Sequence, residues 1–239
     1  MIDVERYRHL TRQLELIPVD TLNKPVHIIG CGAIGSFLGL QLAKMGMTCL
    51  HLYDFDTVSV ENMSNQFYPI SAVGNNKAEA LADMIKLFTN HAPYHSPTKV
   101  TPAEVQQMKG IIVVSVDSMA ARRMVYEAIK DTNFGVEYII DPRMSAEYYA
   151  QYTINPNNRK DQETYEKTLH SDDHGVQERC TAKSTVYTAS LGAGLVTKTI
   201  KNILLNQEYP RNTQWDIKEC RPMNMCGNKH GMEEKWHVS

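Results

Sequence analysis

The sequence predicts an α/β fold: a mostly parallel sheet with helices on both faces that continues into a mixed, antiparallel second half. Three observations predict it. A compact β-prone run, Val26-His27-Ile28-Ile29, meets a glycine-rich turn that opens directly into helical spacing. Strand-like and helix-like stretches then alternate as far as residue 140, the pattern of a doubly wound, Rossmann-like parallel sheet. Beyond residue 143 the rhythm changes, because residues 148–154 alternate aromatic and polar side chains as an antiparallel strand does.

Taken in order, residues 3–17 place Tyr7, Leu10, Leu14 and Ile17 on one helical face until Pro18 stops the pattern, which predicts a short N-terminal helix. The first strand, residues 26–29, and the glycine turn lead to a helix over 36–46 through Phe37, Leu40, Leu42 and Met45. A second strand over 49–54 ends on an acid, and Ala80, Leu81, Met84, Ile85 and Phe88 mark a helix over 77–88. A short helix at 105–108, a strand at 111–116, a helix at 120–130 and a strand at 138–140 follow. Residues 155–179 carry almost no apolar side chains and read as a long, mobile crossover loop, about 155–180. Small residues Ala189, Gly192, Ala193 and Gly194 give the helix at 185–205 a face for close packing, and residues 207–239 show no period and read as a C-terminal tail.

With 239 residues, 42% hydrophobic and 22% charged, the chain has enough apolar content for one large core, residues 1–206, before that tail. A net charge of −2 supplies no excess of cations for nucleic acid or an anionic membrane, so neither is expected as a partner. No apolar run approaches the roughly 20 residues that span a bilayer, and the charged start lacks a signal-peptide core; a cytoplasmic location is expected. Five cysteines at irregular spacing imply reduced thiols.

The chemistry starts at Gly30-Cys31-Gly32-Ala33-Ile34-Gly35. Glycines at these places permit a tight turn, close backbone approach to phosphates and close helix–strand packing, with helix N-terminal amides facing the anion. Asp54, nineteen residues beyond Gly35, is placed to accept ribose hydroxyls; its plain alternative is a strand-ending carboxylate.

The next stretch separates ATP from NAD. Asp54, Asp56, Asn62, Asn65 and Gln66, followed by Gly74-Asn75-Asn76-Lys77, resemble the adenylating domain of the ubiquitin-activating superfamily in its ThiF/MoeB/HesA branch. The resemblance covers about residues 5–205. Arg12-Gln13 is similar to the family's N-terminal segment, whose arginine reaches across a dimer to the partner's ATP; Val116-Asp117-Ser118 resembles the strand-end aspartate that holds Mg²⁺; Asp141-Pro142-Arg143-Met144 matches the stretch after the following strand.

What the resemblance implies is a homodimeric, ATP- and Mg²⁺-dependent adenylyltransferase acting on a carboxylate, first of all the C-terminus of a ubiquitin-like or sulfur-carrier protein. In that role Lys77 and Arg12 supply charge, Asn62 and Gln66 donate to phosphate oxygens, and Asp117 holds the metal. The plain alternatives are solvated helix charges for Lys77 and Arg12 and a helix N-cap for Asp117. Cys180, beside Arg179 and Lys183 and ahead of a small-residue helix, is a candidate acyl acceptor; its alternative is a small buried hydrophobe. Asn65 stands where the family has arginine, so Arg12, Arg122, Arg123 or Arg143 must supply the missing cation or turnover is lost. The family's paired Cys-x-x-Cys zinc ligands are missing, and Cys220, Cys226, His230 and His237 are too irregularly spaced to argue for structural zinc. Other readings are a noncatalytic binding subunit of the same fold, adenylation of a peptide or of a tRNA threonylcarbamoyl group, and an NAD-dependent oxidoreductase, for which no catalytic His or Tyr-x-x-x-Lys is evident.

Overall fold

The computed structural model describes residues 10–132, 135–169 and 184–223. Within them the chain forms one sheet with helices on both faces. Its elements are β1 (Val26–Ile29), α1 (Ala33–Met45), β2 (Leu50–Tyr53), α2 (Lys77–Thr89), β3 (Tyr94–Ser96), α3 (Pro102–Val105), β4 (Gly110–Val114) and α4 (Met119–Ile129). They continue as β5 (Val136–Ser145), β6 (Tyr148–Ile154), α5 (Arg159–Glu166), α6 (Val186–Leu204), β7 (Asn212–Asp216) and β8 (Arg221–Pro222). The strand order is β3-β2-β1-β4-β5-β6-β7-β8, parallel from β3 to β5 and antiparallel from β5 onward. Strand order reverses between β1 and β4, and the crevice at the carboxyl ends there is where open α/β sheets take their ligands.

Two apolar layers hold the sheet. On one face Val26, Ile28, Leu50 and Leu52 pack with Leu38, Leu42, Leu81, Ile85, Val196 and Ile200 from α1, α2 and α6. On the other, Ile29, Ile112 and Val114 pack with Val105, Val125, Tyr126 and Ile129 from α3 and α4. β1 and β4 are buried along their whole length, which explains why they read as continuous apolar runs rather than alternating ones.

β1, β2, β4 and the antiparallel β6 match the sequence reading; β3 has no counterpart in it, the short helix expected at 105–108 is α3 at Pro102–Val105, and several other elements differ. Of the helix expected over 3–17, residues 3–9 lie outside the described residues and residues 11–16 form hydrogen-bonded turns, with Leu10 and Ile17 buried and Leu14 exposed. Leu10 plugs the end of α1, where a side chain on Gly46 (φ +105°) would lie 2.5 Å from Leu10 Cδ1. α1 starts three residues early, at Ala33, so the glycine turn is itself the start of the helix. β5 runs to Ser145, not residue 140, since its second half pairs with β6.

The expected crossover loop contains α5 over 159–166, capped by the Asn158 side chain and docked through buried Tyr165; residues 170–183 lie outside the described residues. Residues 207–223 are not a separate tail: β7 pairs with β6 and extends the sheet.

Candidate functional site

The glycine turn joins β1 to α1 at the carboxyl end of the sheet, and each glycine there has a different reason. Gly30 has φ +95°, and a Cβ on it would stand 2.6 Å from the Ser115 carbonyl oxygen. A Cβ on Gly35 would stand 2.0 Å from the Gly30 oxygen. Gly30 is demanded by packing against the backbone just past β4 and Gly35 by packing within the turn, where the Ser115 hydroxyl also donates to Gly30 O at 2.6 Å. Gly32 is different: the nearest atom to its Cβ position is Gln66 Nε2 at 3.9 Å, so the protein leaves its outer face free. The amides of Ala33, Ile34 and Gly35 form the first turn of α1 and have no intrahelical acceptor, which makes this face a ready anion site.

Asp54 closes the turn from β2. Its carboxylate accepts from Cys31 N at 2.7 Å and from Asp56 N at 2.9 Å. Burial pushes the Asp54 carboxyl above its ordinary value, opposed by those two amide bonds. Asn76 anchors the next segment: its Nδ2 donates to the Asp54 and Asp56 carbonyls and its Oδ1 caps α2 at Ala78 and Glu79. That cap fixes Lys77, 8% exposed, whose ammonium pairs with Asp56 Oδ2 at 3.0 Å. Cys31 is fully buried, and burial drives its thiol well above the usual range, so it packs rather than reacts.

Asn62 lies in a single 3₁₀ turn (Val60–Ser64), where its Oδ1 accepts from Ser59 N at 3.0 Å. Asn65 donates through Nδ2 to Ser184 Oγ, just ahead of α6, and Gln66 lies over Gly32. Asp117 is exposed two residues past Ser115; Ser118, not Asp117, caps α4 by accepting from Ala121 N. Among the described residues no hydrogen bond or ion pair engages the Asp117 carboxylate, which lies at the sheet end that bears the glycine turn.

Arg12 does not join its own chain's site. Its neighbour Gln13 donates to Met45 O at 2.7 Å at the far end of α1, about 18 Å of helix from the turn. The other arginines considered as a replacement for the missing cation are engaged elsewhere. Arg122 and Arg143 both hold Asp141, which has no exposed surface: Arg122 Nη1 lies 2.6 Å from Oδ1, and Arg143 Nη2 2.7 Å and Nε 2.9 Å from Oδ2. Tyr165 of α5 donates to the same carboxylate at 2.9 Å, and Arg143 lies 4.6 Å over the Tyr152 ring. Arg123 donates to the Leu169 carbonyl.

This ionic knot was invisible as a pattern; Asp141-Pro142-Arg143 was its one visible fragment, with Arg122 and Tyr165 about twenty residues away on either side. Cys180, Cys226, His230 and His237 lie outside the described residues, and Cys220 is exposed on a turn. No group of three or more His, Cys, Asp or Glu that could hold a metal occurs among the described residues.

An open α/β sheet with a glycine turn at its switch point, a strand-end acid and a capped lysine after the second strand defines a nucleotide-site protein of Rossmann type. The chain belongs to the ThiF family, whose sequence profile matches residues 11–231. It is similar to the adenylyltransferase and sulfurtransferase MOCS3 of Dictyostelium discoideum, 32% identical over 114 residues (44% of this chain and 26% of that protein). It is also similar to the Nedd8-activating enzyme E1 catalytic subunit of Drosophila melanogaster, 32% identical over 104 residues (42% and 23%). The chain thus spans about a quarter of the length of these two relatives.

Among solved structures, E. coli MccB with AMPCPP and MccA superposes with a TM-score of 0.72 at 17% identity over 93% of this chain and 71% of that one. PaaA superposes with a TM-score of 0.70 at 21% identity over 92% and 82%.

Proposed function

We propose that this protein is an ATP- and Mg²⁺-dependent adenylyltransferase that activates a carboxylate, foremost the C-terminus of a ubiquitin-like or sulfur-carrier protein. The observation that carries the reading is the pairing of an anion-ready face at Gly32 with the exposed carboxylate of Asp117, unpartnered among the described residues, at the same end of the sheet. A dehydrogenase has no use for that second acid. Membership of the ThiF family supports the reading, as do relatives named for adenylation of such partners and a fold-mate solved with ATP.

In this reading the first-turn amides of α1 hold phosphate oxygens, Asp54 orients the ribose while bracing the turn through Cys31 N, and Lys77 adds charge from beneath Asp56. Asp117 holds the magnesium ion, which when bound neutralises the departing pyrophosphate. The substrate carboxylate then attacks the α-phosphorus, its oxygen forming the new P–O bond as the bond to pyrophosphate breaks. Transfer of the acyl group to Cys180 is a further step of the same proposal: the thiolate forms a C–S bond to the acyl carbon as the C–O bond to the phosphate breaks and AMP leaves.

The position of Arg12 at the far end of α1 favours a homodimer in which Arg12 serves the neighbouring copy. No helix of the described residues is long and apolar enough to cross a membrane. The likeness to MccB favours a second substrate class, a peptide C-terminus.

ATP–pyrophosphate exchange measured with a panel of small carrier proteins and C-terminal peptides tests the reading. Exchange that requires an acceptor supports it. Mg·ATP binding without exchange for any acceptor points to the noncatalytic subunit that Asn65 keeps in view.

A further inference from the structure

Asn65 directly precedes Gln66, whose Nε2 is the nearest atom to the open side of Gly32, and its own amide is engaged elsewhere. Its Nδ2 donates to Ser184 Oγ, and Ser184 is in turn bridged to Ala146 at the β5–β6 turn. The next residue, Thr185, donates to the Ala146 carbonyl and caps α6. Asn65 thereby ties the nucleotide segment to the start of α6. Two adjacent acceptors, Asn65 Oδ1 and Gln66 Oε1, are buried with no donor among the described residues. Buried carbonyl oxygens without donors cost free energy. Gln66 already turns its Nε2 toward Gly32, whereas Asn65 spends its Nδ2 on Ser184.

We propose that Asn65 is a positioning residue and its contact with Ser184 a latch, closed without nucleotide and opened when the phosphates arrive, so that ATP binding frees the start of α6. This deepens the adenylation reading and rests on it. Opening exchanges a neutral hydroxyl partner of Asn65 Nδ2 for a phosphate oxygen, a stronger charge-assisted bond, and lets both stranded oxygens reach donors. The nucleotide shifts the equilibrium because it binds the open arrangement better. A neutral amide at this position is suited to the task, since it can leave one partner for the other without burying a charge.

The test combines two variants with Mg·ATP titration by calorimetry. Ser184→Ala removes the latch without touching the site, and is expected to bind Mg·ATP about threefold to tenfold tighter than wild type, the equivalent of one net hydrogen bond. Asn65→Cys/Ser184→Cys, oxidised to a disulfide, is expected to bind at least tenfold more weakly than the same protein after reduction, while the single Asn65→Cys variant is insensitive to reductant. In wild type, Mg·ATP should raise amide hydrogen exchange at residues 184–188. Equal affinities of the oxidised and reduced pair, or no gain in Ser184→Ala, overturn the latch while leaving adenylation standing. No Mg·ATP binding by wild type or reduced protein overturns both.

Discussion

Two glycines three residues apart in one turn should respond to the same methyl group in opposite ways. Gly35→Ala places a Cβ 2.0 Å from the Gly30 carbonyl oxygen and 3.0 Å from Ser115 Oγ. The first of these is backbone locked to β4, so the clash cannot be relieved by a rotamer. A destabilisation of about 3 kcal/mol or more is expected, a fall in Tm of about 6–12 °C for a chain of this size.

Gly32→Ala meets nothing nearer than 3.9 Å and should lose far less stability than Gly35→Ala. Its methyl instead occupies the face over the α1 amides. Pushing a phosphate off one or two charge-assisted bonds, worth about 1.5–3 kcal/mol each, lowers Mg·ATP affinity by about tenfold to a hundredfold or beyond. Thermal unfolding and calorimetric titration of both variants separate the effects. A Gly32→Ala protein that binds Mg·ATP like wild type refutes the assignment of that face to phosphate.

Other outcomes follow from the same geometry. Asp141→Asn leaves Arg122 and Arg143 buried against a neutral partner and should cost about 3–5 kcal/mol in denaturant unfolding; a loss under 1 kcal/mol contradicts the ionic knot. Asp117→Asn should leave stability unchanged but cut pyrophosphate exchange at least tenfold, whereas Ser118→Ala should cost about 1 kcal/mol of stability by uncapping α4. Burial, then the stacked His51, pushes His27 down to about 4. The unfolded imidazole, near 6.5, binds protons more readily than the folded one, so this contribution is complete above pH 6.5 and disappears as pH falls toward 4. Its size is about 3 kcal/mol, and His27→Gln should flatten stability over that window. Arg12→Ala and Asp117→Ala, each inactive alone, should restore exchange when mixed if Arg12 serves the neighbouring copy; failure to complement rules out the shared site.

The parallel half of the fold was legible because β1, β2 and β4 are short apolar runs punctuated by glycine, acid or serine. The glycine turn was legible as well, although only the structure separates Gly30 and Gly35, which packing requires, from Gly32, which leaves space. What escaped the sequence is held by contacts distant along the chain. β3 is three residues long and pairs only at the sheet edge. α5 is polar along most of its length and is fixed by Tyr165 reaching Asp141, and β7 carries no buried residue to set a period. The tie between Asn65 and Ser184 spans 119 residues, and no local pattern announces it.

The account turns on transfer of an adenylyl group, so its most direct test is label transfer from ATP to a carrier or peptide C-terminus in the presence of Mg²⁺. α-Labelled ATP should mark the acceptor as a hydroxylamine-sensitive acyl-adenylate while γ-labelled ATP leaves it unmarked, and Asp117→Asn should abolish the mark. Label arriving from the γ-phosphate instead, or tight NADH binding by a protein that does not bind ATP, would contradict it.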